Sequence, residues 1–175
     1  MQDNASKTNH ALKEILRRIS DEGRISFAEF MEIALYDPVD GYYTTRNPIG
    51  AHGDYFTSPS AHPAFSAILA IQFEYMWRVL GRPQEFYAIE MGAGDGLMAR
   101  DLLDYSERLD PAFTKALKYV VIDKSTNGME NPPVTGCVIS NELVDAFPVH
   151  RFQVLEGQPR EVFVTVNEKG DLVEE

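Results

Sequence analysis

Residues 90–96 combine two carboxylates, Glu90 and Asp95, with three glycines at every second position, in the pattern E-x-G-x-G-x-G. An apolar and aromatic run over residues 86–89 precedes them, and residues 97–109 follow with apolar side chains at helical spacing. This order predicts a buried strand, a tight turn and a helix, an arrangement that can cradle a nucleotide-type ligand. Glycine suits such a turn because it adopts positive φ and leaves the backbone bare for a ligand.

The charges around this turn indicate which ligand it binds. A dinucleotide fingerprint reads G-x-G-x-x-G, whereas the third glycine here comes one residue early. A pyrophosphate at the helix N-terminus would be repelled by Asp95, and Glu90 would not attract it. Both carboxylates would stabilise a cation such as the sulfonium and ammonium groups of S-adenosylmethionine (SAM). The alternative is a glycine-rich turn with no ligand. We predict a SAM-binding turn whose residues include Glu90, Gly92, Gly94 and Gly96.

Polar residues also end the two further strands that the sequence predicts. Asp123 closes the apolar run 117–123, where an acid can hydrogen-bond the hydroxyls of a ribose. Asp123 as a solvated strand end is the alternative. A third strand over residues 135–140 leads into Asn141 and Glu142, at the sheet edge where an open α/β fold presents its ligand groups.

The chain before the glycine turn is predicted to be helical, with one long loop. Helices are expected over residues 11–19, 27–35 and 62–80, and Ser26 with Glu29 forms a capping box for the second. We therefore predict an α/β fold with a parallel sheet and an N-terminal helical segment. Its division is 1–60 for the helical segment and loop, and 61–175 for the cofactor domain.

The loop over residues 44–59 is rich in Gly, Pro, Thr and Ser. It is long for a compact domain, and loops of that length are usually functional or disordered. Asp54, Thr57 and Ser58 are therefore candidates to face a substrate or cofactor. Turn chemistry with satisfied side chains would explain these residues equally well.

The composition excludes several classes of function. A net charge of −11 argues against nucleic acid, whose phosphates favour Lys and Arg. The most apolar helix contains Gln72, Glu74 and Arg78, so no membrane insertion is predicted. His and Cys lack the spacing of metal ligands, and no metal is expected. The polar N-terminus has no signal or presequence pattern, which predicts a cytoplasmic protein.

Four stretches make the sequence similar to the MidA family of SAM-dependent methyltransferases, relatives of a mitochondrial complex I assembly factor. They are ISFAEFMEIALYDPVDGYY (25–43), GDYFTSPSAHPAF (53–65), EMGAGDG (90–96) and NELVDAFPVHRF (141–152). The resemblance implies a Rossmann-like class I methyltransferase fold. It also implies methyl transfer from SAM to a protein arginine, in a respiratory complex subunit. By position, the glycine turn would line the methionine end of SAM, Asp123 the ribose, and Asn141 and Glu142 the transferable methyl.

The sequence also departs from this family. Between Asp123 and Thr135 the family has another helix and strand, and beyond Glu175 it continues through the last strands of the sheet. The chain therefore resembles a truncated member with an incomplete parallel sheet. Its unpaired sheet edge would favour a homo-oligomer.

Three functions remain open from the sequence. The favoured one is a SAM-dependent protein methyltransferase, in which Glu142 and Asp145 orient an acceptor guanidinium. Asp145 could equally cap the turn before Pro148. The second is a degenerate methyltransferase fold that acts as a binding module or assembly factor. The third is an NAD-type oxidoreductase, which Asp95 and the early third glycine disfavour.

Overall fold

The chain forms two compact units in a computed structural model. One, here called the terminal unit, joins Met1–Pro48 to Val144–Glu175, and the other, the central unit, is Ile49–Leu143. The sequence predicts another division, between residues 60 and 61, which groups the C-terminal strands with the cofactor domain. The structure describes residues 9–45, 53–54, 57–123 and 135–175.

Pairing between distant strands explains why the two ends of the chain group together. The elements of the terminal unit are helices α1 (His10–Glu22), α2 (Phe27–Tyr36) and α3 (Tyr42–Thr45), strands β1 (Ile25–Ser26), β5 (Phe152–Leu155), β6 (Gln158–Glu161), β7 (Phe163–Val166) and β8 (Leu172–Glu174), and the 3-10 turn Val144–Ala146. The antiparallel order β1-β7-β8 places Ile25 opposite Val164. Both side chains are buried against apolar residues of α1 and α2.

Helix α2 begins as the sequence predicts. Ser26 Oγ accepts a hydrogen bond from the Glu29 backbone N–H at 3.2 Å, and Glu29 Oε2 accepts one from the Ser26 N–H at 2.9 Å. The capping box is thereby confirmed. The helix ends at Tyr36, because the residue before Pro38 is sterically disfavoured in a helix.

The hairpin of β5 and β6 differs from the expectation. The sequence predicts a turn at residues 157–159, but β6 already begins at Gln158. The turn consists of Glu156 and Gly157, whose φ angles of 51° and 77° match the two-residue turns favoured between antiparallel strands. Pro159 is tolerated because a two-stranded sheet has only edge strands.

The central unit is built on a parallel sheet with β2 in the middle. Its elements are α4 (Ser58–Ala61), α5 (Ala64–Val79), β2 (Phe86–Met91), α6 (Leu97–Ser106), α7 (Pro111–Ala116), β3 (Leu117–Ile122) and β4 (Gly136–Ser140). Both neighbours, β3 and β4, run parallel to β2. Helices α5, α6 and α7 bury Phe73, Leu102 and Phe113 against Phe86 of β2. The predicted α/β fold is confirmed.

Helix α7 was not expected from the sequence, which predicts one helix over residues 97–109. Asp110 Oδ1 accepts a hydrogen bond from the Ala112 N–H at 2.9 Å, and Pro111 occupies the first turn. An aspartate cap followed by proline is a common helix start, so the signal was present.

Some predictions cannot be compared with the structure. Residues 124–133, KSTNGMENPP, are rich in turn-forming residues and are expected to form a loop, but they lie outside the described residues, as does most of the loop at 44–59. In the part of the chain that is described, no helix is both long and apolar enough to cross a membrane.

Candidate functional site

The glycine turn connects β2 to α6 with three residues at positive φ. The φ angles of Gly92, Gly94 and Gly96 are 72°, 57° and 74°, a region that side chains rarely adopt. Gly96 is the N-cap of α6, and Asp95 Oδ1 accepts a hydrogen bond from the Leu97 N–H at 3.1 Å. A carboxylate of the chain itself thus occupies the position where a dinucleotide phosphate would bind.

Glu90 is a buried carboxylate at the end of β2, with a relative exposure of 3%. The Tyr119 hydroxyl on β3 donates a hydrogen bond of 2.7 Å to Glu90 Oε2. Burial raises the pKa of Glu90, the nearby charge of Asp95 raises it further, and the Tyr119 hydrogen bond opposes the rise. The ionised form of Glu90 is therefore poorly compensated, and a cationic ligand would stabilise it.

A cavity of about 40 Å³ lies against the turn and Glu90. It is lined by Thr57, Pro59, Ser60, Glu90, Gly92, Ala93, Gly94, Asp95, Leu97, Met98 and Asn141. Pockets for small ligands usually measure several hundred Å³, on the order of 300–1,000. A cavity of this size accommodates only part of a molecule such as SAM.

Leu143 covers part of the glycine turn. A Cβ placed on Gly92 would lie 2.6 Å from Leu143 Cδ1, whereas one on Gly96 would meet nothing within 4 Å. Gly92 is therefore bare towards the cavity but packed against a side chain elsewhere. Leu143 lies three residues after the end of β4. The preceding residue, Glu142, has a φ of 50°, which is unusual for a residue with a side chain.

Several predicted cofactor residues meet at this cavity. Glu90, Gly92, Gly94 and Asn141 line it, and Gly96 starts the adjoining helix. Asp123 follows β3 at the same edge of the sheet, where the Gly92 N–H donates to the Ile122 carbonyl oxygen at 2.8 Å. Asp123 does not itself line the cavity, and its ribose role stays a prediction.

The other predicted site residues are more dispersed. Thr57 is buried and lines the cavity, whereas Asp54 and Ser58 are exposed and do not. Glu142 is exposed in the central unit, and Asp145 is exposed in the 3-10 turn of the terminal unit. The roles of Glu142 and Asp145 in catalysis stay predictions.

A larger groove of about 520 Å³ belongs to the terminal unit. It is lined by Ser26, Ala28, Glu29, Glu32, Pro148, His150, Glu161 and Phe163. One of its carboxylates, Glu29, is already satisfied by Ser26, and these hydrogen bonds lower the pKa of Glu29. We place the candidate site at the smaller cavity because Glu90 lacks comparable compensation.

The comparison with protein families identifies the chain. The Methyltransf_28 family of S-adenosyl-L-methionine-dependent methyltransferases matches residues 68–132 and 126–175. The chain belongs to this methyltransferase family. The matched residues include the glycine turn and strands β2, β3 and β4, whereas the cavity-lining residues Thr57, Pro59 and Ser60 precede the match.

Curated relatives of this methyltransferase chain are longer. It is 27% identical to "Protein arginine methyltransferase NDUFAF7 homolog, mitochondrial" of Drosophila melanogaster, over 88% of this chain and 44% of the relative. The Homo sapiens protein NDUFAF7 is also 27% identical, over 89% of this chain and 45% of its own length. The chain therefore spans less than half the length of the curated relatives it matches.

Solved structures agree with the methyltransferase fold. A COG1565 superfamily protein from Burkholderia thailandensis superposes with a TM-score of 0.78, at 24% identity, over 94% of this chain and 49% of that one. A second structure of that superfamily, from the same organism, gives a TM-score of 0.67 at 22% identity, over 94% of this chain and 47% of that one. At this identity the likeness establishes the fold.

The predicted cytoplasmic location is wrong. The relatives from Drosophila melanogaster, Homo sapiens and Mus musculus are mitochondrial proteins. The prediction relied on the absence of a presequence pattern in the first residues, which is weak evidence when the chain matches less than half of its relatives.

Sequence reasoning missed Tyr119 and the contribution of α4. Tyr119 is a half-buried phenol in the middle of a largely apolar strand, and such a group usually needs a hydrogen-bond partner. That rule could have singled it out, but naming Glu90 as the partner required the strand register. Pro59 and Ser60 could not be found, because their place at the cavity depends on tertiary packing.

Proposed function

We propose that this chain binds SAM at the glycine turn and serves methyl transfer to an arginine side chain of a protein. The buried, poorly compensated carboxylate of Glu90 beside the turn is the observation that carries the proposal. Family membership supports SAM as the cofactor. The solved structure with the TM-score of 0.78 is described as bound to S-adenosyl-homocysteine. The curated relatives are named protein arginine methyltransferases, which supports arginine as the acceptor.

The residues of the turn have distinct roles in this proposal. SAM, when bound, supplies a methyl group on a positively charged sulfur. Glu90 and Asp95 offset positive charge of the ligand, and Gly92 and Gly94 let it approach the backbone. Asp123 accepts hydrogen bonds from ribose hydroxyls at the end of β3. Displacement at the methyl carbon needs mainly alignment of the reacting groups and exclusion of water, which binding beside the turn would supply.

Glu142 and Asp145 are the residues proposed to bind the guanidinium of the acceptor arginine. Carboxylates bind a guanidinium through paired hydrogen bonds, which fixes the orientation of the reacting nitrogen. They would also accept the proton that this nitrogen releases as its bond to the methyl carbon forms. The acceptor is proposed to be a protein linked to respiratory complex assembly, which the family resemblance implies.

A binding module without turnover is the second candidate. One observation favours it: the cavity measures only about 40 Å³, which is small for a whole cofactor. Within the described residues, β3 and β4 each pair only with β2. These sheet edges support the further proposal that two copies associate, which size-exclusion chromatography with light scattering would test.

Calorimetric titration tests cofactor binding, and a methyl-transfer assay separates the enzyme from the binding module. Saturable binding of SAM with no binding of NAD supports the proposed function, and binding of NAD alone overturns it. Transfer of tritiated methyl to an arginine-containing peptide, but not to the same peptide with lysine, would support the enzyme. SAM binding without transfer to a mitochondrial protein extract would favour the binding module.

A further inference from the structure

We propose that Tyr119 is a positioning residue of the cofactor site, whose hydroxyl keeps the Glu90 carboxylate ionised and oriented towards the cavity. The inference rests on the proposed function, because it assumes that the cavity receives a cationic ligand. It adds a residue outside the glycine turn and assigns it a role distinct from contact with the ligand.

The strand register places the two side chains within reach of each other. Tyr119 lies opposite Ala88 and Glu90 lies opposite Val121, so Tyr119 and Glu90 are diagonal neighbours on one face of the sheet. The phenol spans this diagonal with a hydrogen bond of 2.7 Å to Glu90 Oε2. Glu90 also lines the cavity, and Tyr119 does not. Tyr119 therefore holds the carboxylate by a hydrogen bond without itself lining the cavity.

The hydrogen bond from Tyr119 favours the ionised form of Glu90, which its other surroundings disfavour. Burial and the charge of Asp95 raise the pKa of Glu90, and both favour a neutral, protonated acid. Tyr119 is the group that opposes them. Burial, together with Glu90 itself, raises the pKa of Tyr119, so the phenol keeps its proton and acts only as a donor.

The groups that face Glu90 are few in the described part of the chain. Tyr119 lies on β3, Asp95 lies on the turn, and Cys137 of β4 lies on the same sheet face as both Tyr119 and Glu90. Burial raises the pKa of the Cys137 thiol, so it stays neutral. The cavity-lining residues of α6, Leu97 and Met98, carry no charge. No described cation compensates Glu90, which leaves this task to the phenol and the ligand.

Tyr119→Phe tests the inference because it removes only the hydroxyl. Tyr87→Phe is the matched control: the Tyr87 hydroxyl donates a hydrogen bond of 3.0 Å to Glu85, also on the central unit but exposed and remote from the cavity. SAM affinity is measured by calorimetry between pH 5 and 8 for both variants and for the wild type. The Glu90 carboxyl is titrated by NMR in unliganded protein labelled at glutamate, with Glu90→Gln to assign the signal.

We expect Tyr119→Phe to shift the Glu90 titration to higher pH and to weaken SAM binding by about fivefold at pH 6, with a smaller loss at pH 8. Tyr87→Phe should match the wild type throughout. An unchanged Glu90 titration, or a pH-independent loss of affinity, would overturn the inference. A wild type that binds no SAM overturns the proposed function, while the titration still decides whether Tyr119 holds Glu90 ionised.

Discussion

Each unit of the molecule contains a buried carboxylate, and the pKa values of these two groups shift in opposite directions. Asp37 of the terminal unit is 6% exposed, and Glu90 of the central unit is 3% exposed. Burial disfavours the charge of both. The pKa of Asp37 is nevertheless lowered, whereas that of Glu90 is raised.

The number of hydrogen-bond donors explains this difference. Asp37 Oδ1 accepts from the backbone N–H groups of Val39 and Asp40 at 3.0 and 2.9 Å, and His10 Nδ1 lies 2.8 Å from Asp37 Oδ2. These donors outweigh the burial. Glu90 has the Tyr119 hydroxyl and a repelling Asp95 instead. A fully satisfied carboxylate stabilises its fold, and a poorly satisfied one is available to a ligand.

The glycines beside the two carboxylates should differ most in their tolerance of a side chain. A Cβ on Gly41 would lie 2.5 Å from the Asp37 backbone N, and backbone cannot easily move. We expect Gly41→Ala to lower the melting temperature by about 10 °C. Gly92→Ala meets only the flexible end of Leu143 and the strain of positive φ, so about 3 °C is expected. If calorimetry showed equal losses of melting temperature for the two variants, the turn at Asp37 would not be more rigid than the glycine turn.

Removing Asp37 should be the next largest effect. Asp37→Ala leaves two backbone N–H groups without their acceptor, and we expect a melting temperature about 5 °C lower at pH 7. A lowered pKa means that Asp37 stabilises the fold above its ordinary value of 3.8 and that this contribution is lost as the pH falls through the lowered value. The difference from the wild type should therefore narrow below about pH 4. A difference that grows in acid would contradict this account.

Glu90→Gln should not lower the melting temperature, in contrast to Asp37→Ala, but it should weaken SAM binding. Because the pKa of Glu90 is raised, ionised Glu90 costs stability at neutral pH, and this cost disappears as the pH falls through the raised value. The variant should melt at or above the wild-type temperature at pH 7, with the gap closing in acid. Its affinity for SAM should fall about tenfold, by calorimetry. A destabilised variant with unchanged affinity would make Glu90 a structural carboxylate like Asp37.

The sequence predicts the parts of these sites that depend on local chemistry. Three glycines after a buried strand require a turn with positive φ, and Ser26 with Glu29 specifies a helix start. Tyr119 could not be assigned to Glu90, because their contact depends on a strand register that the sequence does not encode locally. The packing of Leu143 on Gly92 depends on tertiary structure in the same way.

The pairing of β1 with β7 has a consequence for biosynthesis. Ile25 is synthesised before Val164, and the central unit is translated between them. At about 5–20 residues per second, translation of this stretch takes on the order of ten seconds, during which β1 has no β7 to pair with. The parallel sheet and its glycine turn can therefore fold on the ribosome first. During that interval the apolar faces of α1 and α2 lack the sheet that buries them, so these helices expose surface that chaperones can bind.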